Sequence, residues 1–77
     1  MFSKELSLAG HTRTFSVDVL FPNGWEIRVT VDRNVVRRTI YSDWHRVERA
    51  IGVMEREVRV LESQGWQTSG EHQSTKR

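Results

Sequence analysis

The chain has 77 residues, of which 36% are hydrophobic and 29% charged, with a single proline and no cysteine. This length allows one small domain, and the composition is typical of a folded domain rather than a disordered one. Without cysteine there is no disulfide, no thiolate nucleophile and no cysteine-based zinc site. No apolar run approaches a membrane span and the first residues lack a signal-peptide pattern, so we expect a soluble, cytoplasmic protein with no membrane contact.

The charge balance is nearly neutral despite a high isoelectric point. Twelve basic and ten acidic residues give a formal net charge of +2, whereas the sequence pI is about 9.7. Few groups titrate between neutral pH and the pKa of arginine, so a small surplus of arginine produces a high pI. The pI is therefore weak evidence for nucleic-acid binding. The excess of arginine over lysine is typical of a GC-rich, bacterial genome.

The first third of the chain predicts β-strands. Residues 1–9 carry apolar side chains on one parity and end at a turn, Ala9-Gly10-His11, so they are expected to form a short strand. Apolar and polar residues alternate along residues 13–21 and again along 25–31. This period of two, rich in β-branched and aromatic residues, predicts two half-buried strands.

The hairpin between these two strands has two alternative registers. A three-residue loop, Pro22-Asn23-Gly24, pairs Phe21 with Trp25 and keeps the apolar sets of both strands on one face. A two-residue turn would place the apolar set of one strand beside the polar set of the other. The hydrophobic pattern favours the three-residue loop, in which Asp18 lies opposite Arg28.

Residues 35–41 follow a turn at Asp32-Arg33-Asn34 and form a further strand with two competing registers. The first register turns alternate residues toward the core, namely Val36, Arg38 and Ile40, and the second turns the other set, Val35, Arg37, Thr39 and Tyr41. We favour the first register because it buries two aliphatic side chains and leaves Arg38 at the periphery, where its charged end can reach water.

A helix is predicted to follow, with Ser42 as its N-cap and Asp43 in its first turn. Apolar residues recur at alternating spacings of three and four and form one stripe, consisting of Trp44, Val47, Ile51, Met54, Val58 and Leu61. Gly65 is expected to end the helix in a left-handed conformation, which would place Trp66 against Leu61.

These elements predict an α+β fold, an antiparallel three- or four-stranded β-meander followed by one long C-terminal α-helix packed on one face of the sheet. Residues 1–66 would form a single small domain. Residues 67–77 contain only polar residues and glycine, so we expect a disordered polar tail there.

The inventory of reactive residues argues against an enzyme. The three histidines, His11, His45 and His72, lack metal-ligand spacing, and the five glycines form no phosphate-binding loop. Three glutamates, Glu48, Glu55 and Glu62, lie seven residues apart, which is too far for a catalytic carboxylate pair. We therefore expect no catalytic residues, no metal, no cofactor and no small-molecule substrate.

The sheet face away from the helix is the first candidate site. Its candidate nucleic-acid contacts are Arg28, Arg37 and Tyr41, together with Arg13 at an edge of this face. In element order alone, residues 13–64 resemble the three-stranded-sheet-plus-helix DNA-binding domains of phage-type integrases and plant ethylene-response factors. Those domains read the major groove with their sheet. The resemblance includes no residue motif, so it implies no site residue here.

The helix provides the second candidate site. Val53 and Val60 lie outside the main apolar stripe, and a helix of about 22 residues, ~33 Å long, would extend past a seven-residue strand of ~23 Å. The exposed overhang would form a self-association surface consisting of Val53, Met54, Val60, Leu61 and Trp66. The sequence thus favours a non-catalytic protein–protein interaction module that self-associates as a homodimer or binds a protein partner. A small nucleic-acid-binding protein is the alternative.

Overall fold

The computed structural model describes the backbone of residues 2–73 and the side chains of residues 2–69. The elements in chain order are β1 (Phe2–Leu8), β2 (His11–Val19), β3 (Trp25–Val31), β4 (Asn34–Tyr41), α1 (Trp44–Ser63) and β5 (Gln67–Gln73). All strands pair antiparallel in one sheet with the order β4-β3-β2-β1-β5. The predicted α+β architecture is confirmed, with a fifth strand added and a helix of 20 residues. No helix in the described part of the chain is long and apolar enough to span a bilayer.

The segment after the helix differs from the prediction of a disordered tail. Residues 67–73 form β5, which pairs with the outer edge of β1, and only residues 74–77 of the predicted tail lie outside the described residues. Backbone N–H and C=O groups on the edge of β1 can be satisfied by any extended segment, whatever its side chains. A strand is therefore possible despite the polar composition of this segment, and the sheet continues past the predicted domain boundary at residue 66.

The β2–β3 hairpin has a longer loop than predicted. Val19, rather than Phe21, pairs with Trp25, and the Leu20 N–H donates to the Gly24 carbonyl across the loop at 2.9 Å. Phe21 is left 93% exposed. A shift of two residues keeps every side chain on its predicted face, so the hydrophobic pattern could not distinguish the two loops.

The pairing of β4 contradicts the favoured register. Val29 pairs with Arg37 and Thr30 with Val35, so Val36 is the extra residue of a β-bulge. Beyond the bulge, Arg37, Thr39 and Tyr41 lie on the helix side, while Arg38 and Ile40 lie on the opposite side, which we call the open face. Of the three residues predicted to face the core, only Val36 lies on the helix side, where it lines a cavity with Arg37.

A buried carboxylate explains this choice of register. Glu26 is 8% exposed on the open face, and it pairs with Arg38 and with Arg28. A register that turned Arg38 toward the helix would leave Glu26 with one arginine only, and burying a carboxylate that lacks partners is costly. The observed register keeps both arginines beside Glu26 and leaves exposed the aliphatic side chains whose burial favoured the other register.

Both helix ends have local signals, and the N-cap differs from the prediction by one residue. The N-cap is Asp43 rather than Ser42, because the Asp43 side chain accepts a hydrogen bond from the His45 backbone N–H at 3.0 Å. At the other end, Gly65 has a φ of +103°, and Trp66 N–H donates to the Leu61 carbonyl at 3.0 Å. The C-terminal cap is therefore the predicted Schellman arrangement.

The core lies between the helix and one face of the sheet. Its buried residues come from β1, β2, β3 and α1, namely Leu6, Phe15, Val17, Ile27, Val29, Val47, Met54, Val58 and Leu61. Because β1 and β5 widen the sheet, the last turns of the helix are covered, and Val58 and Leu61 are only 4% and 8% exposed. The predicted overhang of the helix is therefore wrong.

The turn between β3 and β4 is held by its own carboxylate. Asp32 and Arg33 both have positive φ, and the Asp32 carboxylate accepts hydrogen bonds from the Thr12 backbone N–H at 2.9 Å and from His11 Nδ1 at 3.1 Å. The Thr12 bond, and then the His11 bond, lower the pKa of Asp32 below its ordinary value. The turn is thereby tied to the start of β2.

Replacing Asp32 by asparagine should remove a pH-dependent part of the stability. Because the folded pKa of Asp32 is lower than its unfolded value of 3.8, its contribution is present above about pH 4 and is lost as the pH falls through the folded pKa. Asparagine tolerates positive φ, so the turn itself should persist. Urea unfolding at several pH values should show a wild-type advantage over Asp32→Asn that shrinks in acid, and a constant difference would contradict this account.

Adjacent helix residues should respond very differently to truncation. Met54 is 3% exposed and Val53 is 45% exposed. We expect Met54→Ala to lower the free energy of unfolding by about 2–4 kcal/mol, because it leaves a cavity. Val53→Ala should change it by less than about 0.5 kcal/mol. Equal losses in urea unfolding would show that the helix faces the sheet differently.

Candidate binding site

The open face is rich in hydroxyl groups and is balanced in charge. A shallow depression on it is lined by Ser3, Glu5, Thr12, Thr14, Ser16, Asp18, Arg28, Thr30 and Arg33. Arg28 is engaged by two carboxylates, Asp18 at 3.2 Å and Glu26 at 3.7 Å, and Arg38 also pairs with Glu26. These ion pairs neutralise Arg28 and Arg38, and three carboxylates, Glu5, Asp18 and Glu26, balance the three arginines of this face, so it is not the basic surface that the sequence predicted.

Only one of the four candidate nucleic-acid contacts lies on the open face. Arg28 is there, whereas Arg13, Arg37 and Tyr41 lie on the helix side of the sheet. The prediction of an open-face location is wrong for Arg37 and Tyr41 because it assumed the other register of β4. Arg13 lies two residues before the buried Phe15 on the same strand, so its side chain also points to the helix side.

These three displaced candidates lie together along one side of the helix. Three adjoining cavities follow the helix flank that faces β4, and the largest two have volumes of about 370 and 310 Å³. We call this surface the arginine groove. Its principal lining residues are Arg13, Val31, Val36, Arg37, Tyr41, Arg46, Arg49, Val53, Arg56, Glu57 and Val60.

The arginine groove carries a strong excess of positive charge. It contains five arginines and one carboxylate, Glu57, which lies 3.6 Å from Arg37. Within residues 2–69, no carboxylate lies at ion-pair distance from Arg46, Arg49 or Arg56. Among the described residues, this surface therefore carries a cluster of positive charge that ion pairs do not neutralise.

The two flanks of the helix differ in charge. Positions three and four residues from Arg49 and Arg56 hold no acidic residue, so neither arginine has a helical ion-pair neighbour. Arg59, on the other flank, has Glu55 and Glu62 at these positions. That second flank faces β1 and lines a smaller cavity of about 230 Å³ with Phe2 and Lys4.

The apolar part of the arginine groove consists of valines. Val36, Val53 and Val60 are 60%, 45% and 54% exposed. Val53 and Val60 were predicted to be exposed, and they are. The other members of the predicted self-association surface are less accessible, because Met54 and Leu61 are buried in the core and Trp66 is half-buried against it.

The end of the groove near the helix C-terminus is formed by stacked groups. The Arg13 guanidinium carbon lies 5.5 Å from the centre of the Trp66 ring, so one face of this ring is already covered. The buried Nε atom of Arg13 has no hydrogen-bond partner among the described residues. Arg13, a candidate nucleic-acid contact, and Trp66, a member of the predicted self-association surface, are thus neighbours at this end of the groove.

An unpaired strand edge borders the groove. β4 is the first strand of the sheet order, so its outer backbone groups have no strand partner in residues 2–73. Apolar side chains of β4 remain exposed beside this edge, since Val35 and Ile40 are 51% and 56% exposed. Such an edge can accept a further strand.

The histidines in the described part of the chain lie apart from each other. No group of three potential metal ligands occurs there. His11 pairs with Asp32 and His45 lies 3.8 Å from Glu48, both at exposed positions. The His72 side chain lies outside the described residues.

The sequence contains a signal for the arginine groove beyond the two valines. Arg46, Arg49, Val53, Arg56 and Val60 recur at spacings of three and four, which places them on one side of a helix. The valine pair indicated an exposed apolar surface, but the arginines that alternate with it also make that surface basic. The neighbouring residues on β4 could not be assigned from the sequence because they depend on the strand register.

Comparisons of the chain with protein-family models, with curated proteins and with solved structures found no match. The observed sheet also has two strands more than the three-stranded DNA-binding domains that it resembles in element order. The function therefore has to be argued from the surface itself.

Proposed function

We propose that this chain is a non-catalytic, cytoplasmic protein–protein interaction module that binds its partner along the arginine groove and the adjoining edge of β4. One observation carries the proposal: among the described residues, exposed apolar side chains, arginines without a carboxylate partner and an unpaired strand edge all occur on the same side of the molecule. Arginine is enriched in protein interfaces, and exposed apolar patches with a polar rim mark sites of protein interaction.

Self-association is one form of this function. The exposure of Val53 and Val60 supports a homodimer through these two residues of the predicted self-association surface. A twofold dimer through this side would, however, bring two sets of five arginines together, and like charges at an interface oppose association. We therefore expect any such dimer to be weak at low salt and to strengthen as salt screens the arginines.

A selection from a random peptide library displayed on phage tests the proposal. We expect enriched peptides to bind the wild-type chain, and the double variant Val53→Glu, Val60→Glu to weaken this binding at least about tenfold. The matched control is Val19→Glu, Phe21→Glu, which changes two apolar residues that are 62% and 93% exposed outside the groove. Circular dichroism and thermal melting would establish that both variants are folded.

Two outcomes of this selection would contradict the proposal. Peptides that bind both double variants equally would place the binding surface elsewhere, and a selection without enrichment would argue against a protein-binding module. Sedimentation velocity of the wild-type chain at low and high salt would detect the homodimer separately, through its expected increase with salt.

Nucleic acid is the second candidate partner, and the arginine content of the groove is the observation that favours it. Five arginines against one carboxylate could contact successive phosphates. If so, labelled single-stranded DNA, duplex DNA or RNA should bind with an affinity that falls steeply as salt increases. Arg49→Glu should weaken this binding and Arg28→Ala should not. No binding at low salt, measured by fluorescence anisotropy, would exclude this candidate.

A further inference from the structure

We infer that the partner contributes an extended segment with alternating acidic and apolar residues, and that this segment adds to the outer edge of β4 as a sixth strand. This inference rests on the proposed function and names the chemistry of the partner. Its acidic side chains would point to the helix side, toward the arginine groove. Its apolar side chains would point to the open face, beside Val35 and Ile40.

The strand edge provides the backbone part of this interaction. β4 has eight residues, and its outer N–H and C=O groups have no strand partner in the described part of the sheet. A strand added at about 4.8 Å from β4 would satisfy these groups by the same hydrogen bonds that join the other strands. On the open face it would cover part of Val35 and Ile40, which are more than half exposed.

The charge distribution determines which side chains the added strand should carry. On the helix side, Arg37 belongs to β4 itself, and Arg46 and Arg49 line the cavity beside Tyr41. Carboxylates on that side of the new strand would meet guanidinium groups, whose hydrogen bonds to anions are strong and directional. Lysine or arginine at the same positions would be repelled.

A strand of a second copy fits this edge poorly. Two β4 strands paired about a twofold axis would bring Arg37 and Arg38 of each copy close to those of the other. The bulge at Val36 also interrupts the regular spacing of the edge. Bulges and charged side chains are common means of preventing edges from pairing with each other.

The apolar lining favours a peptide over a nucleic acid. The exposed apolar side chains of the groove are valines, which offer no ring for base stacking. Tyr41 is half-buried against the core, and Trp66 is already stacked by Arg13. The unpaired arginines and the free strand edge match an acidic, extended peptide, whereas the exposed valines offer nothing on which a base could stack.

The test uses a labelled, N-acetylated peptide of about nine residues in which valine and glutamate alternate, a length that matches β4 at about 3.4 Å per residue. Fluorescence anisotropy with the full chain should give micromolar to millimolar affinity, as expected for a small interface. A lysine-for-glutamate version should not bind. Raising the salt concentration from about 50 to 500 mM should weaken the binding of the acidic peptide at least about tenfold.

Backbone methylation of the peptide tests strand addition directly. In an extended strand, the N–H groups of the valines all point to one edge and those of the glutamates to the other. Methylating one set should abolish binding, and methylating the other set should leave it within about twofold. Equal effects of the two methylated peptides would overturn strand addition, while binding that still depends on Val53 and Val60 would leave the proposed function intact.

Protein variants test the charge assignment. Arg49→Glu should weaken the binding of the acidic peptide about three- to tenfold. Arg59→Glu, an equally large charge reversal on the other flank of the same helix, should leave its affinity within about twofold. Equal losses for the two variants would overturn the assignment to the arginine groove.

Two further results would overturn the inference, the first without and the second together with the proposed function. If the acidic peptide does not bind at low salt but library-selected peptides bind through Val53 and Val60, the module stands and the partner chemistry is wrong. If a thymidine oligonucleotide binds more tightly than the acidic peptide and displaces it, the groove belongs to nucleic acid and both proposals fail.

Discussion

The ion pairs of buried Glu26 determine which way β4 faces, and the surface chemistry of the whole molecule depends on that choice. Arg28 and Arg38 hold this carboxylate on the open face. Because side chains alternate along a strand, fixing Arg38 there sends Arg37 and Tyr41 to the helix side. The same contacts neutralise Arg28 and Arg38 on the open face. Together with Asp18 and Glu5, Glu26 balances the charge of that face, and the excess of positive charge lies on the other.

The helix completes this separation of charge. Its apolar stripe covers the middle of the sheet, so its two polar flanks face opposite edges, one toward β1 and the other toward β4. Glu55 and Glu62 accompany Arg59 on the first flank, whereas Arg49 and Arg56 on the second have no acidic neighbour one turn away. A molecule with a formal charge of only +2 thus presents a concentrated basic surface on one side.

Local patterns predicted the elements of the fold, and interactions between distant residues decided the rest. The alternation in β2 and β3, the apolar stripe of the helix and the Gly65 cap were each readable within about twenty residues. The pairing of β5 with β1 could not be predicted locally, because a polar segment gains its strand conformation from the free edge of β1. The direction in which the β4 side chains point could not be predicted either, because it depends on Glu26. For the candidate site, the exposure of Val53 and Val60 was predicted, but the arrangement of Arg13, Arg37 and Tyr41 around them required the observed register.

The features that protect the β4 edge also limit what can bind there. A bulge and arginines on both sides of the sheet oppose pairing with a second β4, and such features are common protections of an exposed strand edge. Repulsion of this kind acts on every basic strand, and only carboxylates convert it into attraction. In the proposed strand addition, selectivity for an acidic partner would follow from the same arginines that oppose pairing of two β4 strands, without any need for a deep or closed binding pocket.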